Sequence, residues 1–242
     1  MESEDFLHWT DRRVIIERQV GDPVLMDHYG LVASRRHDMM IGFLWESQWW
    51  DLGGKHGQIR GRLVVSRDHG HHWERVDGEK PFFDLGPQHA FDAGTVYPST
   101  ILTIGDEDFI YYTGTRITHA PMPRSEFPND AYSIGVARIP RDRFVGRRAG
   151  AAEGVLVSRA FPMPPHRALF LNCSTGSNGY CRVFVESAEN GSTLLAGIDF
   201  LGDSLDGEIA WQEGSPENVT GQLVRLRFQM REASLYGFRF TP

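Results

Sequence analysis

Residues 66–73 read SRDHGHHW, and residues 3–9 read the related SEDFLHW. The two stretches lie 63 residues apart at their serines and 64 residues apart at their tryptophans. Three further pairs of stretches match in the same order: DHYGLVAS (27–34) with DAGTVYPS (92–99), HDMMIGFLW (37–45) with GDEDFIYYT (105–113), and LVVSRD (63–68) with VARIPRD (136–142). A repeated unit of about 65 residues that contains four short strands is typical of a propeller blade. The repeat therefore predicts that the first part of the chain consists of such blades.

The stretch at 66–73 has the pattern Ser-x-Asp-x-Gly-x-x-Trp, which is called an Asp-box. The physics of the pattern is local. Asp68 can accept backbone N–H groups across a tight turn, Gly70 permits a positive φ, and Trp73 can anchor the hairpin between sheets. We interpret it as a structural turn, and we expect its three neighbouring histidines to be exposed, because no acidic or cysteine partner stands at metal-ligand spacing. We expect no metal and no cofactor.

The chain as a whole has the composition of an all-β protein. Among 242 residues there are 26 glycines and 13 prolines, which fits many tight turns. An apolar pattern of helical period almost nowhere persists for about ten residues. Short runs rich in β-branched and aromatic residues recur instead: RVIIER (13–18), MMIGFLW (39–45), GRLVVS (61–66), DFIYYTG (108–114), YSIGVARI (132–139), ALFLN (168–172), CRVFV (181–185), LVRLRF (223–228) and LYGFRF (235–240).

Charge and hydropathy exclude several classes of protein. A net charge of −7 argues against a nucleic-acid partner, which selects a basic face. No apolar run approaches the roughly 18–20 residues of a membrane span, and the acidic N-terminus is unlike a signal peptide. We therefore expect no membrane partner and a cytoplasmic location. Cys173 and Cys181 flank a turn-rich stretch, so a hairpin centred near Ser177 would set them opposite each other, as a cross-strand disulfide or as two reduced thiols.

The chain resembles a known family at the motifs quoted above. The turn at 3–9 looks like the turn that is frequent in five-bladed propellers of the glycoside hydrolase clan with families 32, 43 and 68. The residues through 114 resemble later blades of a bacterial family described as glycosyl hydrolase family 32-like or sialidase-like. The tail resembles the β-sandwich that follows the propeller there, at GVLVSRAF (154–161), LFLN (169–172), CRVFVE (181–186), GDSL (202–205) and residues 221–240.

The resemblance implies an all-β chain with a partial five-bladed-type β-propeller over 1–150 and a β-sandwich over 151–242. We expect the boundary in the stretch 147–150. The blades that carry the nucleophile, the transition-state Asp and the acid Glu in that clan have no counterpart here, so the resemblance assigns these roles to no residue. Three accounts stay open: a truncated product, a propeller that closes with another chain, or a reduced binding module. Exposed blade edges predict self-association.

Two aspartates are the first candidates for chemistry. By the repeat, Asp27 and Asp92 open the inner strands of successive blades, where carboxylates can face a central funnel. Glycoside hydrolysis needs one carboxylate as nucleophile or base and one carboxylic acid. The alternative is that each aspartate caps a turn beside Gly30 or Gly94.

Further candidates flank these aspartates in the sequence. Glu46 follows the apolar strand that ends at Trp45, and an apolar setting would raise its pKa as a general acid requires. The alternative is a solvated glutamate at a strand end. For substrate contacts we expect side chains that can hydrogen-bond or stack on a sugar ring: His28, Tyr29, Tyr97 and Trp45.

Together these observations predict a carbohydrate-active protein that resembles a glycoside hydrolase. If it is active, it cleaves glycosidic bonds with its funnel carboxylates. The alternative is a non-catalytic carbohydrate-binding or truncated propeller remnant without the catalytic blades.

Overall fold

The computed structural model describes residues 1–52, 56–76, 80–119, 128, 130–165 and 168–241. These residues form fourteen β-strands and a 3-10 helix, Pro216–Val219, and none of them is in an α-helix. The predicted all-β class is confirmed. No helix formed by the described residues is long and apolar enough to cross a membrane. The chain divides into two compact units, one of Met1–Ile104 with Phe109–Arg138 and one of Gly105–Asp108 with Ile139–Pro242.

The first sheet is built on an antiparallel meander. Its strands are β1 (Met26–Arg36), β2 (Met39–Trp49), β3 (Gly57–Ser66), β4 (Glu74–Arg75), β5 (Thr95–Ile104), β6 (Glu107–Thr115) and β7 (Tyr132–Pro140). They lie in the order β1-β2-β3-β5-β6-β7, and β4 pairs with β3. Strands β1 to β3 pair antiparallel, whereas β3 and β5 meet in parallel at Ile59 and Thr95.

Alternation of buried and exposed side chains explains why these residues form strands. In β3, Ile59 and Leu63 are fully buried and the residues between them alternate in burial, which is the period of a half-buried strand. The apolar run at 13–18 is the exception, because none of its residues is in a strand. Its Ile15 and Ile16 instead pack against the buried cluster that includes Trp73. Here apolar burial occurs without strand pairing, so the strand predicted from this run is wrong.

The two related turns are built from the same hydrogen bonds. In the second, the Gly70 amide donates to Ser66 Oγ at 2.8 Å, and the His72 amide donates to an Asp68 carboxylate oxygen at 2.9 Å. Trp73 is 8% exposed, and its indole N–H donates to the Gly70 carbonyl at 3.1 Å.

The first turn repeats this network on the surface. The Phe6 amide donates to Ser3 Oγ, and the His8 amide donates to Asp5, each at 2.8 Å. The His8 amide, the His8 ring and the Leu7 amide lower the pKa of the Asp5 carboxyl. Trp9 is 51% exposed, however, so its indole ring is not buried as the other tryptophan is.

The second unit contains a pair of long antiparallel strands. Its strands are β8 (Arg147–Ala149), β9 (Gly154–Val157), β10 (Phe161–Pro162), β11 (Ala168–Ser187), β12 (Thr193–Ala196), β13 (Asp203–Glu208) and β14 (Leu223–Thr241). Strands β11 and β14 pair along nearly their whole length. The ladder has two register shifts: a small one between Asn172 and Cys173, where Tyr236 of β14 has no partner, and a longer interruption between Thr175 and Tyr180 of β11, opposite Glu232 of β14. Core residues from both sides of the interruption belong to one buried cluster.

This pairing corrects the hairpin expected near Ser177. Residues on both sides of Ser177 continue along β14, so the chain does not turn back on itself there. Cys173 and Cys181 lie on the same strand, and both are free and buried. The turn-forming residues between the two cysteines form an irregularity within one long strand. The same residue types would also fit the turn of a hairpin, so the sequence alone does not separate the two structures.

Candidate functional site

A β-bulge in β1 sets the position of Tyr29. His28 pairs with Glu46 and Gly30 pairs with Trp45, so Tyr29 is an extra residue without a partner in β2. A Cβ on Gly30 would lie 2.7 Å from Trp45 Cε3, so any larger residue there would displace the Trp45 ring. Bulges turn side chains away from the regular alternation of a strand. The Tyr29 side chain is 49% exposed as a result.

Tyr29 lies at the edge of an aromatic cluster. Its ring centroid is 6.5 Å from that of Tyr97, and the Tyr97 centroid is 5.3 Å from that of Trp45 in an edge-on contact. The Trp45 indole N–H donates to the Pro98 carbonyl at 2.8 Å, which fixes this ring against β5. Burial raises the pKa of the Tyr97 hydroxyl, which therefore stays protonated. Three of the four predicted substrate contacts thus meet in one cluster.

His119 completes the cluster, although no motif in the sequence points to it. Its backbone forms two hydrogen bonds with Gly57, each of 2.9 Å, and this places the ring against Tyr29 and Trp49 at centroid distances of 5.3 and 5.2 Å. The Tyr29 hydroxyl and His119 Nε2 share a hydrogen bond of 3.2 Å. His119 Nδ1 is buried and has no hydrogen-bond partner among the described residues.

Asp27 is the candidate carboxylate beside these rings. It is the second residue of β1, it is exposed, and its Oδ2 accepts the Trp49 indole N–H at 2.8 Å. Asp27 and Trp49 also line a cavity of about 280 Å³ with Asp51 and apolar residues of the segment before β1. The carboxylate therefore has one oxygen held in place while the side chain remains accessible to a ligand.

Asp92 has a different set of neighbours. It lies in the turn ahead of β5, and its Oδ2 accepts the Tyr112 hydroxyl at 2.8 Å. Burial and the Asp92 carboxylate raise the pKa of Tyr112 to about 12. A Cβ on Gly86 would lie 1.9 Å from Asp92 Oδ1, and a Cβ on Gly114 would lie 2.6 Å from Asp92 Cβ. Close packing thus surrounds Asp92 on two sides.

Glu46 is buried within a network of charges. It is 8% exposed, its Oε2 accepts Arg62 Nε at 2.7 Å, and its Oε1 lies 3.1 Å from Arg75 Nη2. Arg75 also donates to both carboxylate oxygens of Asp22, at 2.6 and 2.9 Å. Glu46 is therefore neither solvated nor in the apolar setting considered for a general acid, and its catalytic role stays a prediction.

His28 belongs to this same network rather than to the aromatic cluster. An Arg75 N–H donates to His28 Nε2 at 3.0 Å, so this nitrogen is the acceptor of a neutral imidazole. Burial, and then the positive charge of Arg75, lower the pKa of His28. The bulge after His28 explains why His28 contacts the charged network while the next residue, Tyr29, contacts the aromatic cluster.

The three candidate carboxylates therefore have three different environments. Asp27 lies beside the exposed rings, Asp92 is held by Tyr112, and Glu46 is paired with arginines. Within the part of the chain that the structure describes, no group of three or more His, Cys, Asp or Glu residues could hold a metal ion.

Comparisons with known proteins give a similarity to solved structures and to nothing else. No family model matches the chain, and no curated protein matches it. The chain is similar to a glycoside hydrolase family 43 arabinoxylan arabinofuranohydrolase from Bacillus subtilis, solved in complex with cellotetraose, with a TM-score of 0.27 and 9% identity. The similarity covers 87% of this chain and 53% of that one, so the chain spans about half the length of the solved structure. At this TM-score the similarity assigns neither a site nor an activity.

Proposed function

We propose that the chain binds carbohydrate on the aromatic cluster formed by Tyr29, Tyr97, Trp45, Trp49 and His119, with Asp27 beside it. The bulge carries this proposal, because it leaves the Tyr29 ring half exposed next to groups that can form hydrogen bonds. A sugar has apolar C–H faces and many hydroxyls. It therefore suits a site that combines ring surfaces with a few fixed polar groups.

The polar groups fit hydroxyl recognition. Asp27 can accept hydroxyl protons, and the Tyr29 hydroxyl can exchange its bond with His119 for one with a ligand. His119 Nδ1 has no hydrogen-bond partner in the described part of the chain, but it is buried, so the polar groups open to a ligand are Asp27 and the Tyr29 hydroxyl.

Hydrolysis is the second candidate function, and the exposure of Asp27 favours it. A glycosidase needs two carboxyl groups about 5–10 Å apart on either side of the bond. Asp27 is accessible beside the rings, whereas Asp92 and Glu46 are each engaged by other side chains. Binding is therefore the function that this geometry supports better.

The proposal includes descent from five-bladed propellers of the glycosyl hydrolase family 32-like or sialidase-like kind, with a sandwich in the second unit. Two turns with the same Ser-x-Asp hydrogen bonds support the repeated blades. The single buried cluster formed by the long strand pair of the second unit supports the sandwich.

The test is a calorimetric titration with cello-, xylo-, arabino- and fructo-oligosaccharides. We expect at least one of them to bind, and Tyr29→Ala to weaken that binding about tenfold, from the loss of stacking and of its hydrogen bond. Tyr180→Ala is the matched control, because Tyr180 lies in the second unit and bonds Glu153. Binding that Tyr29→Ala leaves unchanged would refute the site.

The hydrolytic alternative needs its own measurement. Aryl-glycoside release by the wild type that Asp27→Asn abolishes, with oligosaccharide binding retained, would support hydrolysis at this site. Release that persists in Asp27→Asn would exclude Asp27 as its essential carboxylate.

A further inference from the structure

A second cavity, with a volume of about 480 Å³, lies within the second unit at the interruption of β11 and β14. Three strands supply its polar residues side by side. Arg148 of β8 pairs with Ser234 of β14, and Ser234 pairs with Ser174 of β11. Thr175 and Glu232 also line the cavity. The cavity therefore has a row of outward polar groups across adjacent strands.

The polar groups of this cavity have unused hydrogen-bonding capacity. Within the described part of the chain, the Arg148 guanidinium, the Glu232 carboxylate and the hydroxyls of Ser174 and Ser234 form no hydrogen bond or ion pair. Thr175 Oγ1 accepts the Gly202 amide at 2.8 Å, so its own proton remains available to donate. The remaining lining residues are all glycine or alanine, which leaves space above the polar groups.

The backbone holds this arrangement at some conformational cost. Glu232 has a φ of +43°, in the left-handed region that residues other than glycine rarely adopt. Its amide donates to the Gly150 carbonyl at 2.8 Å, and a Cβ on Gly176 would lie 3.2 Å from Glu232 Oε2. Strained residues of this kind concentrate at ligand sites. The Glu232 carboxylate therefore lies beside Gly176, in the unpaired part of β11 that borders the cavity.

We propose that this cavity binds a sugar acid, that is, a small polyol that carries one carboxylate. Arg148 would bind the carboxylate through charge-assisted hydrogen bonds. Glu232 is an acceptor for ligand hydroxyl protons, and the three protein hydroxyls can donate or accept. The volume lies in the usual range for small-ligand pockets. The site is separate from the aromatic cluster, which belongs to the first unit.

The probe is sodium D-glucuronate, titrated into the full chain by calorimetry, with D-glucose and L-serine as comparison ligands. We expect glucuronate to bind at least about tenfold more tightly than glucose, because only glucuronate offers a carboxylate to Arg148. Serine carries a carboxylate and an ammonium group but only one hydroxyl, so it should bind more weakly than glucuronate. Backbone amide shifts in a labelled sample should concentrate at 148–151, 174–176 and 232–234.

Arg148→Gln should lower glucuronate affinity about tenfold or more and remove its advantage over glucose. Arg147→Gln is the matched control, because Arg147 is also exposed and lies one residue away on the same strand, outside the cavity lining. Tyr29→Ala should leave glucuronate binding unchanged, which separates this site from the proposed oligosaccharide site. Unfolding midpoints of the Arg147 and Arg148 variants should match the wild type.

Three results would overturn the proposal. The first is an absence of glucuronate binding at millimolar concentration. The second is equal binding of glucuronate and glucose, or serine binding as tightly as glucuronate. The third is equal loss of affinity in the Arg147 and Arg148 variants.

Discussion

Replacing Arg75 with methionine should destabilise the first unit strongly. Arg75 is 10% exposed and donates to Asp22 through two hydrogen bonds, while its Nη2 also lies 3.1 Å from a Glu46 oxygen. Methionine keeps most of the apolar length of the side chain and removes the charge. The substitution leaves two carboxylates in a poorly solvated site, where Arg62 is the remaining partner of Glu46 among the described residues.

The expected magnitude follows from burial. Removing one partner of a buried ion pair costs about 3–5 kcal/mol, because the remaining charge is left uncompensated. The four charged side chains of this network are between 8% and 12% exposed. We therefore expect Arg75→Met to lower the free energy of unfolding by about 3 kcal/mol or more. A surface pair is worth about 0–1 kcal/mol, and Arg60→Met supplies that control, since Arg60 pairs with an Asp84 that is 63% exposed.

The assay is urea unfolding followed by tryptophan fluorescence. Five of the six tryptophans lie in the first unit, so this signal reports chiefly on it. A loss for Arg75→Met as small as that for Arg60→Met would show that the network is hydrated and would refute the argument from burial.

Three further predictions concern pH, the repeated turn and assembly. Because the pKa of His28 in the folded chain is below its ordinary 6.5, the unfolded chain binds this proton more readily. The free energy of unfolding should therefore fall as the pH drops through the unfolded and then the folded pKa of His28. His28→Gln should flatten this pH dependence in urea titrations between about pH 7 and 5, and an unchanged slope would contradict the prediction. Trp73→Ala should cost about 3–5 kcal/mol of unfolding free energy while Trp9→Ala stays within about 0.5, because only Trp73 is buried; equal losses would contradict this. The exposed apolar side chains of β7 predict self-association, and a clean monomer in sedimentation velocity at micromolar concentration would count against it.

Local patterns in the sequence were enough to predict the fold class and the repeated turn. Strand-forming runs, turn residues and the Ser-x-Asp spacing each depend on residues within about ten positions of one another. The run at 13–18 shows the limit of this reasoning, because Ile15 and Ile16 pack against a buried cluster without belonging to a strand. The stretch around Ser177 shows it again, since a hairpin and an irregular long strand have the same turn residues.

The aromatic part of the candidate site was also predictable in part. Tyr29, Tyr97 and Trp45 were selected because they flank candidate carboxylates, and the structure brings their rings together. His119 was not selected, because its place depends on a backbone bridge to a glycine far away in the sequence. The environment of Glu46 was unpredictable for the same reason, as Arg75 reaches it from another strand.

The most direct test of the central claim is a crystal structure of the chain with the oligosaccharide that binds most tightly. We predict a sugar ring stacked on Tyr29, with a hydroxyl within hydrogen-bond distance of Asp27 or His119. A sugar bound elsewhere, with the Tyr29 ring still in contact with solvent, would contradict the account.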